Sequence, residues 1–112
     1  MANGLLGKAA LAAATYTQVG QVPSGQSGTV NIRVVNRSTS ASTSIRLAVV
    51  PSSWVSGAPG DADYIEPVDM ILGPGGVLED TAIAVSSMEQ VVAYASTANI
   101  TVRTFGYLKQ GV

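Results

Sequence analysis

Residues 29–35 read Thr-Val-Asn-Ile-Arg-Val-Val, and their alternation decides the fold class. Val30, Ile32 and Val34 fall on one side of an extended chain, while Thr29, Asn31 and Arg33 fall on the other, because side chains along a strand point alternately to opposite faces. Outward from this stretch the pattern repeats. In residues 44–50, Ile45, Leu47 and Val49 alternate with Arg46 and Ala48. In residues 100–105, Ile100, Val102 and Thr104 oppose Thr101, Arg103 and Phe105. Branched residues dominate all three stretches, and branched β-carbons pack well on a pleated surface.

Shorter strands are expected between these. Residues 15–22 form one, closed by the Val22-Pro23-Ser24-Gly25 turn, where proline presets φ and glycine accepts a positive one. Residues 64–72 form another, interrupted by Pro67 and so placed at a sheet edge or a bulge. A Gly73-Pro74-Gly75-Gly76 turn follows, then strands over 81–85 and 90–95 joined by a turn at 86–89. A first strand over 9–13 competes with the helix propensity of its alanines. Seven or eight short strands separated by turns predict an all-β, antiparallel β-sandwich, either a jelly-roll or an immunoglobulin-like Greek key. Residues 1–8, with Leu5 and Leu6 between two glycines, read as an N-terminal arm and residues 9–112 as the sandwich domain. Residues 52–63 are the longest irregular stretch and carry the one tryptophan, Trp54.

The chain has 112 residues, enough for one domain. Hydrophobic residues make up 46% and charged residues 12%, the latter about half the usual share. So few charges suggest that part of the surface is covered by copies of the chain or by a partner. A net charge of −1 with scattered basic residues argues against nucleic acid. The apolar stretch within residues 1–14 is interrupted by Lys8 and falls short of a membrane span, so no membrane partner is expected.

Histidine and cysteine are both absent. Their absence removes the usual general base near neutral pH, thiolate nucleophiles and most zinc sites, and the chain is expected to be neither an enzyme nor a cofactor carrier. Asp61, Asp63, Glu66 and Asp69 hold four of the seven acids. They are a candidate cation site, since calcium takes six to eight oxygen ligands, or a glycosidase carboxylate pair, or a solvated loop and strand edge whose charges deter aggregation; the last is favoured. Trp54 and Tyr64, with Tyr16, Tyr94 and Tyr107, are candidates for interface packing or for a glycan-stacking platform. Leu5 and Leu6 are candidates for docking on a partner. Asn36-Arg37-Ser38 and Asn99-Ile100-Thr101 match the glycosylation acceptor pattern, the second on a predicted strand.

The order of the elements resembles small structural proteins of tailed bacteriophages. The shared run begins at LAAATYTQVGQVPSGQSGTVNIRVVNR (residues 11–37), passes through SIRLAVVP (44–51), DYIEP (63–67) and VLEDTAIAVSSMEQVVAYAS (77–96), and closes with NITVRTFGYLK (99–109). Each motif is strand-and-turn grammar; the specificity lies in their order. The resemblance implies a β-sandwich component of the virion's outer surface. That component is a head decoration, cement or knob protein acting as a homo-oligomer, with a trimer as the expected form, bound to the major capsid protein or another virion protein. A tail fibre or baseplate module that binds host glycan is the alternative. The resemblance brings no set of functional residues with it.

Overall fold

The computed structural model describes residues 2–110. Among these residues eight strands are present: β1 (Ala2–Leu11), β2 (Thr17–Gln21), β3 (Gln26–Asn36), β4 (Thr43–Val50), β5 (Met70–Leu72), β6 (Val77–Val85), β7 (Gln90–Ala95) and β8 (Ile100–Gln110). They form two four-stranded antiparallel sheets ordered β1-β8-β3-β6 and β2-β7-β4-β5, packed face to face as an eight-stranded sandwich.

The pairing decides between the two architectures that the sequence leaves open. β1 pairs with β8, β2 with β7, β3 with β6 and β4 with β5. The chain therefore behaves as one long antiparallel ribbon folded at its middle, whose successive pairs fall alternately in one sheet and the other. That is the jelly-roll winding, and it excludes the immunoglobulin-like order.

Alternation fills the core. Val30, Ile32 and Val34 of β3 and Ile100, Val102 and Leu108 of β8 are buried, facing Ile45 and Leu47 of β4 and Val91, Ala93 and Ala95 of β7. Every one of these residues sits at the parity its strand directs inward.

The expected arm is a correction. Residues 2–8 form the outer part of β1, in register with β8 from Ala2↔Leu108 to Lys8↔Arg103; Met1 lies outside the described residues. An unpaired arm would leave its backbone groups to water, whereas β8 runs on to Gln110 and offers a complete ladder. A bulge between Leu5 and Gly7 turns Leu6 against the main core and leaves Leu5 exposed. Gly7 is required at this point. A Cβ there would strike the carbonyl oxygen of Val19 on β2, so β1 could not lie so close to the facing sheet.

The expected strand over 64–72 is shorter than read. Only Met70–Leu72 pairs with β4, and Tyr64 makes a single bridge to Ala48. Pro67 has no N–H to give a ladder, and Asp69 turns the chain at φ 63°. β6 starts four residues earlier than the predicted 81, at Val77, and β1 stops at Leu11 within the predicted 9–13.

Candidate functional site

On β4 and β7 the outward parities are Arg46, Ala48 and Val50, and Gln90, Val92 and Tyr94, joined by the pairs Arg46↔Tyr94, Ala48↔Val92 and Val50↔Gln90. Outward residues of a sandwich usually meet water, yet Ala48, Val50, Val92 and Gln90 are buried. The cover is the long connection from β4 to β5, residues 51–69. Trp54 and Tyr64 from this connection, with Tyr16 from just before β2, pack on Ala48, Val50 and Val92 as a second, smaller core.

Gln90 anchors the cover. Its Nε2 donates to the carbonyls of Pro51 (3.2 Å), Ser52 (3.4 Å) and Trp54 (3.0 Å), and its Oε1 accepts from Gln18 Nε2. Trp54 Nε1 donates to Gly57 O at 3.1 Å, closing the loop on itself.

Beside this small core lies a polar cluster centred on Arg46. Arg46 donates through Nε and Nη2 to the two carboxylate oxygens of Asp69, at 2.8 and 3.1 Å, and through Nη1 to Tyr16 Oη at 2.7 Å. Tyr16 and Tyr64 join their hydroxyls at 3.0 Å. The Tyr16 and Tyr94 rings are 4.7 Å apart, and the Arg46 guanidinium lies 4.5 Å from the centre of Tyr94. A forked carboxylate partner and an aromatic face are the two contacts that suit a guanidinium best. The hydrogen bonds to Asp69 and then to Tyr16 raise the pKa of Arg46, and the Arg46 hydrogen bond lowers that of Asp69. Tyr64 is pushed up to about 12, by burial first and by its bond to Tyr16 second. The charged and phenolic groups thus satisfy one another, so the cluster ties the loop to the sheet.

The four acids read as one group do not converge. Asp69 belongs to Arg46. Asp61 and Asp63 lie on a short 3-10 helix (Asp61–Asp63). Glu66 faces Asp80 of β6, and its carboxyl is pushed up to about 7, by hydrogen bonding to Asp80, by burial and by the repulsion between them. Among the described residues no three histidine, cysteine or acidic side chains come close enough to hold a metal ion. Asp61 and Asp63 sit in a 3-10 turn while Glu66 and Asp69 are held by separate partners, so closeness in sequence does not become one site.

The aromatic candidates divide. Trp54, Tyr64, Tyr16 and Tyr94 are half-buried in or beside the loop's own packing rather than set out as an open stacking platform. Tyr107 projects from the outer face of the other sheet, 73% exposed, with Leu5 and Phe105 paired across strands on the same face. Leu6 is half-buried against the main core. Asn36 is buried, and its Nδ2 is engaged by three carbonyls. Asn99 is exposed, in a left-handed turn at φ 69° just before β8 rather than on it.

Arg46 and Gln90 belong to no motif in the sequence, although the strands that carry them hold a signal. Val50 and Val92 are apolar at outward parities, which marks a covered face, and the long connection that follows β4 is at hand to cover it. No described helix is long and apolar enough to cross a membrane. No protein-family model matches this chain, and no curated protein is similar enough to count as a relative.

Proposed function

We propose that this chain is a structural component of a tailed-bacteriophage particle, a decoration, cement or knob protein bound to the outer surface of the head as a homo-oligomer. The observation that carries the proposal is exposed apolar surface on a chain with little charge. Val55 (85%), Ile71 (65%), Val68 (51%) and Tyr107 stand in solvent, while charged residues are 12% of the sequence. Burying such residues against neighbours stabilises an assembly by mass action. The jelly-roll winding supports it by analogy, since viral coat proteins commonly use that architecture, and so does the phage-like order of motifs along residues 9–109. No catalytic step is assigned.

The alternative of a fibre or baseplate module for glycan would call on Trp54 and Tyr64, whose rings are already engaged by the loop's packing. The test is cryo-electron microscopy of intact particles with this chain traced into density, together with sedimentation of the free protein. Density on the head and a closed oligomer are expected. Density on the tail, or absence from the particle, would overturn the proposal.

A further inference from the structure

Lys8 on β1, Arg103 on β8 and Arg33 on β3 are direct cross-strand partners in one row on the outer face of the β1-β8-β3-β6 sheet. All three are exposed. The row ends on β6 at Glu79, which takes Arg33 Nη1 at 3.0 Å. Three of the chain's six basic residues thus stand side by side with one carboxylate among them, and among the described residues Lys8 and Arg103 form no ion pair.

Neighbouring strands lie about 4.8 Å apart, and like charges directly opposite destabilise a sheet. The arrangement therefore works against the isolated domain. It becomes favourable when acidic groups enter the row. Space for them exists: beside Lys8 and Arg103 the small side chains of Ala9, Ala10 and Thr101 leave a hollow of about 360 Å³. On one flank of the row lie Leu5, Phe105 and Tyr107, so cations border an aromatic and aliphatic strip. Arginine and tyrosine together are the composition that dominates binding energy at protein interfaces.

We infer that this face docks an acidic protein surface, with carboxylates entering between Lys8 and Arg103 and apolar side chains covering Leu5, Phe105 and Tyr107. The inference rests on the reading that the chain attaches to a larger assembly, and it names the attaching face. A second copy is a poor occupant. Face against identical face would set cations on cations, and the acids Asp61 and Asp63 lie over the opposite sheet, so pairing with them would stack copies in an open file rather than a closed ring. A nucleic acid is a poor one too, because the row spans only about 10 Å, two strand spacings, within a chain of net charge −1.

The test uses the full chain and a labelled peptide of alternating glutamate and leucine, with the lysine–leucine peptide, heparin and duplex DNA in parallel. Fluorescence anisotropy should report binding of the acidic peptide that weakens with salt. Arg103→Glu should reduce it roughly tenfold or more while leaving Tm unchanged or higher, since a glutamate at 103 would make the row alternate in sign. Lys8→Glu, on the edge strand, should do the same and serves if the first variant fails to fold. Equal binding by the variants, no peptide binding, or preference for heparin or DNA at equal charge would overturn the inference. Absence of the chain from particles would instead remove the head-protein reading and leave this measurement standing.

Discussion

Arg46 Nη1 donates to the hydroxyl oxygen of Tyr16 at 2.7 Å, and through that bond the middle of β4 is joined to the residue just before β2. The same guanidinium grips Asp69 at the far end of the covering loop. One side chain therefore links two strands and the connection that lies over them.

Tyr16→Phe and Arg46→Lys should each destabilise the domain by about 1 kcal/mol, the net worth of a hydrogen bond to a charged group lying somewhat above that of a neutral one. Because both remove the same contact, the double variant should cost less than the sum by several tenths of a kcal/mol or more. A second readout is phenol ionisation by ultraviolet absorbance. Tyr64, pushed up to about 12 in part by Tyr16, should titrate lower in Tyr16→Phe. Additive costs and an unchanged Tyr64 titration would show that the cluster is not coupled.

Glu66 and Asp80 make stability depend on pH in an unusual sense for acids. Among the described residues Asp80 Oδ2 is enclosed without a conventional donor, and the Glu66 carboxyl beside it supplies one when protonated. In the folded chain Glu66 is raised from 4.5 to about 7, so the folded state holds a proton that the unfolded state has released. The resulting stabilisation is present in full below the unfolded value and is lost as pH rises through about 7. Denaturation midpoints should therefore fall between pH 5 and 8, and Glu66→Gln, which keeps a donor for Asp80 at every pH, should flatten that decline. A variant profile parallel to the parent's would show that the pair is not the cause.

Asn36 should be the costliest polar residue to remove. Its Nδ2 lies within 2.9–3.1 Å of the carbonyl oxygens of Ala41, Leu72 and Gly73, and its Oδ1 accepts from the Ser38 N–H at 3.0 Å. Asn36→Ala strands these groups in the interior, at about 2–4 kcal/mol in urea unfolding. Asn36→Asp should be worse, because a carboxylate would face three carbonyls without a donor. A loss under about 0.5 kcal/mol for either would mean that water replaces the side chain.

Much of the sandwich is legible in the sequence. The strand at residues 29–35 is marked by Val30, Ile32 and Val34, and the turns by Pro23, Gly25 and the 73–76 glycines, because period-two burial and turn geometry are local properties of the chain. The same locality hides the strand formed by residues 2–8. Glycine and exposed leucine suggest freedom locally, whereas β1 exists because β8, about a hundred residues later, presents a free ladder.

The candidate site was the least legible part. Asp61, Asp63, Glu66 and Asp69 are neighbours in sequence, and the fold gives Asp69 to Arg46 and Glu66 to Asp80. Conversely, Lys8, Arg33 and Arg103 are scattered in sequence, and strand register aligns them.

By itself the sequence determined that the chain is all-β, where most of its strands run and which side of each faces the core, since alternation, branching and turn residues act over a few positions. Only the tertiary structure decided that the ribbon winds as a jelly-roll, that a loop buries the outer side of one sheet, and which charges meet. Those outcomes depend on pairings such as Leu11↔Ile100 and Arg33↔Arg103, in which distant segments satisfy one another's backbone and buried groups, and no local pattern encodes the partner.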